Sequence, residues 1–363
     1  MHTVKPRPGI LDIVPYVPGN ADNADPDRVV YLASNESPLG ASPLAIDAYS
    51  SLSRKLHRYP DSGSQELRNA IGAKYRLPPE QIICGNGSER LIDLLTRAYA
   101  GPGDEVLYSQ YGFIMYPICA MAAGAIPVTA PERDFTSDVD ALLAAVSDRT
   151  RIVFLANPNN PTGTYISATE VKRLRDGLPS HVLLVIDSAY AEYVEAADYS
   201  AGYELVDTDT ANVVVLHTFS KIYGLAALRL GWAYCPPQIA DVLNRIRGSF
   251  SITAPAQAAG IAALQDQEHI DKALAHNRQW LPWLSSSLKE MRLEVLPSAG
   301  NFVLTRFADA ELSRAAHREL LSKGVILRPV AGYGLPEALR ITVGSERENR
   351  ICVEALRAFI GNV

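Results

Sequence analysis

The sequence predicts an α/β protein: a large domain with a mostly parallel sheet, followed by a smaller α+β domain. Three observations carry this. Short β-branched and apolar runs alternate with helically spaced segments from Ile82 to Cys235, the pattern of strands covered by helices. Asn160, Asp187 and Lys221 each stand just past such a run, where ligands bind in sheets of this kind. After Pro236-Pro237 the rhythm changes to long helical stretches and short alternating strands. A chain of 363 residues exceeds the roughly 250–300 at which single cores stop growing, so two domains are expected. The division read from the sequence is an arm over residues 1–35, a large domain over 36–250 and a small domain over 251–363.

The elements follow in order. Residues 1–30, rich in Pro, Gly, Asn and Asp, read as an extended arm. Within it Ile13–Gly19 is an apolar island suited to packing on a partner subunit. Pro43–Leu56 and Ser64–Tyr75 read as helices, with the turn Arg58-Tyr59-Pro60-Asp61 between them. Ile82–Cys84 is a short strand entering Gly85-Asn86-Gly87-Ser88-Glu89-Arg90, and Leu91–Ala100 is a helix. Strands are expected at 106–108, 126–128, 151–156, 181–186, 213–216 and 228–235, with helices at 113–123, 139–145 and 168–176. Beyond them, helices are expected at 239–246, 255–264, 268–291, 311–322 and 348–360. Strands are expected at 293–295, 302–304, 325–327 and 339–343.

Composition narrows the function classes. A hydrophobic fraction of 47% and a charged fraction of 20% suit a soluble globular protein. The net charge of −6, with no basic block, argues against nucleic acid as a partner. Cys84, Cys119, Cys235 and Cys352 form no CxxC pair and read as free thiols in a reducing cytoplasm. His269 and His276 find no third ligand type, so no metal site is assigned. The N-terminal residues lack a signal-peptide core, and the longest apolar runs, such as Val182–Ile186, are too short to span a membrane.

The chemistry centres on His217-Thr218-Phe219-Ser220-Lys221, directly after the strand Val213–Leu216. A lysine at the end of a core strand is either a surface residue or one that holds an aldehyde cofactor. The upstream residues favour the second. Pyridoxal phosphate needs an acid at its pyridine nitrogen, donors at O3′, an anion site for its phosphate and an aromatic cover. Asp187 ends the most apolar strand and suits the nitrogen; Tyr190 and Asn160 can donate to O3′. Ser88, the Gly87–Glu89 backbone, Ser220 and Arg229 offer a phosphate cup at a helix start. Phe113 or Tyr116 can stack on the ring. The Gly85–Arg90 turn also suggests a dinucleotide fingerprint, but Arg90 occupies its third glycine position.

Asn159-Asn160-Pro161-Thr162-Gly163, Asp187-Ser188-Ala189-Tyr190 and Ser220-Lys221 with Arg229 resemble the signature of fold-type-I pyridoxal-phosphate aminotransferases. Ser34-Asn35-Glu36-Ser37-Pro38, Arg58-Tyr59-Pro60-Asp61, Gly85–Glu89 and Leu339–Gly344 narrow the resemblance to their histidinol-phosphate branch. The resemblance covers essentially the whole chain. It implies pyridoxal 5′-phosphate as cofactor and Lys221 as its covalent lysine and proton shuttle. Asp187 is implied at the ring nitrogen, Tyr190 and Asn160 at O3′, and Phe113 against the ring. Gly87, Ser88, Glu89, Ser220 and Arg229 are implied at the phosphate, joined by Tyr59 from the partner subunit of a homodimer. Arg340, Arg328, Asn35 and Tyr16 are implied at the substrate, Tyr16 from the partner's arm. The implied reaction moves an amino group between L-histidinol phosphate and 2-oxoglutarate. Arg328–Pro336 also resembles relatives that accept aromatic amino acids, so phenylalanine or tyrosine is the alternative donor. A decarboxylase of the same fold and a non-catalytic regulator are further readings; the short, non-basic arm argues against the regulator.

Overall fold

The computed structural model describes residues 4–15, 29–209 and 212–361. Its centre is a seven-stranded sheet. In spatial order the strands are Ile82–Gly85, Gly231–Tyr234, Val213–Thr218, Leu183–Asp187, Thr150–Ala156, Glu105–Ser109 and Ile126–Ala130. Gly231–Tyr234 runs antiparallel to both of its neighbours, and the other pairings are parallel. The central strands are apolar on both faces because both faces are covered: Leu183, Val185, Val214 and Leu216 join one core, and Leu184, Ile186, Val213 and Val215 another.

A second, four-stranded antiparallel sheet orders Glu294–Val295, Phe302–Arg306, Ala338–Thr342 and Arg328–Pro329. The helices Gln267–Glu290, Ala310–Ser322 and Glu346–Ile360 cover it around Trp280, Leu284, Leu320 and Leu356. The last helix begins with a capping box in which Ser345 and Glu348 satisfy each other's backbone N–H groups. The helix Ala254–Gln265 packs instead on Pro43–Ser51 and Gln65–Tyr75, beside the large sheet. On this packing we propose Asp266, which caps Gln267–Glu290, as the division between the two bodies.

Three features differ from the sequence expectation, one through a distant pairing and two for local reasons. The stretch 325–327 divides at Leu327. Val325–Ile326 pairs in parallel with Val30–Tyr31, while Arg328–Pro329 joins the small sheet. The expected strand 228–235 begins only at Gly231, because Ala226–Leu228 is a 3-10 turn and Arg229 is left-handed at φ 50°. A hairpin, Glu132–Arg133 with Thr136–Ser137, turns through Asp134 and Phe135 at φ 49° and 59°. Such turns favour Asn-Gly or Asp-Gly, so Asp-Phe gave no signal. The residues before Pro43 are also less arm-like than expected: Leu32, Ala33 and Asn35 are buried. Most of the apolar island 13–19 lies outside the described residues.

Candidate active site

The carboxyl ends of the large sheet's strands open onto a cavity of about 250 Å³, closed on its far side by the small sheet. Asn160, Asp187, Ser220, Lys221, Arg229, Arg328 and Arg340 all line it. Sequence separations of 180 residues and more collapse here to hydrogen-bond distance, as between Arg340 and Asn160 and, across 307 residues, between Arg340 and Ala33.

Lys221 is half-buried, and its Nζ donates to the Ser34 carbonyl at 2.9 Å. Burial lowers its pKa to about 7, and neighbouring Arg340 adds to the shift. Asp187 ends its strand 6% exposed. Its Oδ2 accepts from the Tyr116 hydroxyl at 3.0 Å, while Oδ1, also buried, has no hydrogen-bond partner among the described residues. Burial raises its pKa, and the bond from Tyr116 offsets part of that rise. An amine that gives up its proton near neutrality thus shares a cavity with a carboxylate whose free oxygen lacks a donor. Tyr190 is buried, and its hydroxyl accepts from Asn35 Nδ2 at 2.8 Å; burial pushes its pKa to about 12.

One edge of the cavity joins an uncapped helix start to an arginine. The helix Ser88–Tyr99 starts there, and no side chain caps its first N–H groups. Gly231 lets the helix start close on the sheet: a Cβ there would lie 2.4 Å from Ser88 N. Gly87, at φ 80°, does the same for Arg229, whose Nη2 would be 2.7 Å from an added Cβ. Arg229 Nη1 reaches Ser220 Oγ at 3.4 Å, and its Nη2 lies 3.9 Å from Glu89 Oε2. Gly87, Ser88, Glu89, Ser220 and Arg229 are therefore brought together as expected from the sequence.

The small sheet contributes arginines. Arg328 and Arg340 are 8% and 5% exposed and stand directly opposite each other across antiparallel strands. Arg340 donates to Asn160 Oδ1 and to the Ala33 carbonyl, and its guanidinium lies over the Phe302 ring at 5.4 Å. Its Nε is buried and unpartnered. Like charges directly opposite on a sheet repel. Both arginines line the one cavity.

Phe113 lines the cavity edge-on to Tyr116. Tyr116 itself stacks on Phe154 at 4.5 Å and is committed to Asp187, a role the sequence did not indicate. Asn35 stands in the left-handed region at φ 54° and is bonded to Thr342 as well as to Tyr190. Tyr59 is not in its own chain's cavity: it is 82% exposed, stacks on Phe250 at 4.5 Å and lines a separate surface groove beside Arg229. Tyr16 lies outside the described residues. The sequence reading missed Ser34, Glu36, Thr218 and Tyr333, which also line the cavity. A signal existed for Tyr333, which sits five residues past Arg328 in the same quoted motif.

The family model for class I and II aminotransferases matches residues 27–356. A histidinol-phosphate aminotransferase of Paramagnetospirillum magneticum is 56% identical over 358 residues, 98% of each chain. One from Maricaulis maris is 53% identical over 359 residues, covering 98% of this chain and 99% of that one. Among solved structures, the histidinol-phosphate aminotransferase of Sinorhizobium meliloti in complex with pyridoxal-5′-phosphate has a TM-score of 0.92 at 28% identity, covering 99% of each chain.

Proposed function

The chain belongs to the class I and II aminotransferase family, and from that premise we propose that it is a pyridoxal 5′-phosphate-dependent transaminase acting on L-histidinol phosphate and 2-oxoglutarate. The observation that carries the substrate reading is the buried Arg328–Arg340 pair facing the cavity that holds Lys221 and Asp187. Histidinol phosphate has no α-carboxylate, so its phosphate is the anion available to those guanidiniums. Glutamate presents carboxylates to the same pair. Relatives that are 51–56% identical carry the histidinol-phosphate name, which favours that donor over aromatic amino acids.

The residues fit the cofactor. The donorless Asp187 Oδ1 suits a protonated ring nitrogen, and the uncapped helix start with Ser220 and Arg229 suits a phosphate. When bound, the cofactor supplies an electron sink for the carbanion left when the substrate Cα loses its proton. Lys221 would carry it covalently and move that proton; a group with a pKa near the working pH both takes and gives one efficiently. Asp187 would hold the proton on the ring nitrogen, with Tyr116 fixing the carboxylate. Tyr190 and Asn160 would donate to O3′, and Phe113 would cover the ring. Gly87, Ser88, Glu89, Ser220 and Arg229 would hold the phosphate. Arg340, Arg328, Asn35 and Tyr16 would meet the substrate.

The exposure of Tyr59, next to a groove that also contains Arg229, supports a homodimer in which Tyr59 serves the partner's phosphate site. No helix among the described residues is long and apolar enough to cross a membrane; cytoplasmic residence is part of the proposal. The test is a donor panel with 2-oxoglutarate: histidinol phosphate, phenylalanine, tyrosine and aspartate compared by kcat/KM. Histidinol phosphate is expected to lead; a lead for phenylalanine or tyrosine would overturn the substrate reading.

A further inference from the structure

A second polar cavity, of about 120 Å³, lies at the outer edge of the large sheet and shares no lining residue with the active site. It is bounded by Ser62, Ser64, Arg68, Asn244 and Arg247, against the edge strand Ile82–Gly85. The strand is outermost, so its outward backbone groups have no strand partner.

Its donors are poorly used within the chain. Arg68 spends its Nη atoms on the Pro79 carbonyl and Gln65, and its Nε has no hydrogen-bond partner. Arg247 bonds Asn244 Oδ1 at 2.7 Å and the Gly248 carbonyl. Neither guanidinium has a carboxylate within ion-pair distance among the described residues. Asp61 feels both guanidiniums, and both its oxygens are occupied by the N–H groups of Gly63 and Gln65. Two guanidiniums beside one carboxylate leave a net positive charge.

Ser64 is the second, independent observation. It occupies the cap position of the helix Gln65–Tyr75 yet makes no cap, because Asp61 has taken that duty. It is 2% exposed and held left-handed at φ 49°, an uncommon conformation for a serine, and it lines the cavity. Both arginines also act on the Cys84 thiol, drawing its pKa back against the burial that pushes it to about 12. Their charge therefore converges on the cavity wall.

We propose that this cavity is a second oxyanion site, sized for one inorganic phosphate, with Arg68, Arg247 and Ser64 as its donors. A cavity of about 120 Å³ admits a small tetrahedral anion. Guanidinium groups bind such an anion through paired, charge-assisted hydrogen bonds. Ser62 and Ser64 lie just beyond Tyr59-Pro60-Asp61, and neither lines the active-site cavity.

Equilibrium dialysis of the holoenzyme with labelled inorganic phosphate tests this, in wild type and in the Arg328→Ala, Asn244→Asp and Arg247→Gln variants. Asn244 is exposed and already accepts from Arg247, so Asn244→Asp keeps that bond and only adds a negative charge. The expected result is one phosphate per chain that persists in Arg328→Ala. Its Kd should rise at least tenfold in Asn244→Asp and Arg247→Gln, with kcat/KM for transamination unchanged. Glycerol 2-phosphate should bind at least tenfold more weakly than inorganic phosphate. Phosphate binding that vanishes with Arg328→Ala, that ignores both edge substitutions, or that is matched by the larger ester overturns the proposal.

Discussion

The two sheets bring opposite kinds of group to one cavity. The seven-stranded sheet presents Lys221 and Asp187, whose pKa values burial moves in opposite directions, one down to about 7 and the other up. The four-stranded sheet presents Arg328 and Arg340, whose guanidiniums are hydrogen-bond donors only. The first pair suits proton exchange, and the second suits an anion. Their placement in the strands differs accordingly. Asp187 stands at a strand end and Lys221 just past one, whereas Arg340 lies inside its strand, braced by Asn160, Ala33 and Phe302.

Replacing groups on the two sides should therefore have separable effects. The largest is expected for Lys221→Ala. General acid–base catalysis contributes about 10²–10⁴-fold, and Lys221 is also the proposed carrier of the cofactor, so turnover should fall by about four decades or more. Near-normal turnover in this variant would remove the large sheet's chemistry altogether.

Asp187→Asn comes next and separates activity from stability. Breaking a buried charge pair costs about 3–5 kcal/mol, so turnover should fall by roughly two to four decades. Stability of the cofactor-stripped protein should move the other way. Asp187 has a folded pKa above its unfolded value, so folding above that pKa buries a charge; stability is lost as pH rises through the interval and stays lower beyond it. The variant lacks this cost. Its melting temperature at pH 7 should exceed that of wild type, with the gain shrinking as pH falls through the interval. A lower melting temperature at pH 7 would show that Asp187 is a structural acid.

Arg328→Ala tests the other side. Charge-assisted hydrogen bonds contribute about 1.5–3 kcal/mol each, so kcat/KM for histidinol phosphate should drop by roughly one to two decades. Phenylalanine, with no distal anion, should be nearly unaffected. Equal losses for both donors would place Arg328 on a group common to the two.

The smallest effect sharpens the contrast in pH. The Lys221 amine must be unprotonated to capture the cofactor's aldehyde. With a pKa of about 7, capture by the stripped enzyme should rise about tenfold per pH unit below 7 and level off above it. A rate still climbing steeply toward pH 10 would mean an ordinary lysine. Spectrophotometric reconstitution across pH 5–10 distinguishes the two.

Much of the large sheet's contribution was legible because its code is local. A buried apolar run giving way to polar residues is visible in Leu183–Asp187 and in Val213–Thr218 with Lys221, and parallel sheets put their ligands at such ends. The glycines before Ser88 were legible for the same reason. What stayed hidden depends on packing between distant segments. Tyr116 reads equally well as a core aromatic or as a ring cover, and only the helix's seating on the sheet turns its hydroxyl onto Asp187. The break at Leu327 was invisible because Val325–Ile326 finds its partner in Val30–Tyr31. The cavity at the sheet edge was hidden in the same way, since Arg68 and Arg247 meet only after folding.

The bond from the Asn35 N–H to Thr342 Oγ1 spans 307 residues, and it sets a timetable for the making of this enzyme. Domains fold from the N-terminal side as the chain is synthesised, and contacts between remote segments form late. The last strand of the large sheet ends at Tyr234, so Lys221 and Asp187 can be in place while the small sheet is still unmade. The loop at Ser34–Glu36, synthesised long before its partners, must wait for Val325–Ile326 and Thr342 before it can close over Lys221. From the making of Lys221 until Thr342 emerges, the nascent chain thus carries its lysine with one wall of the pocket missing.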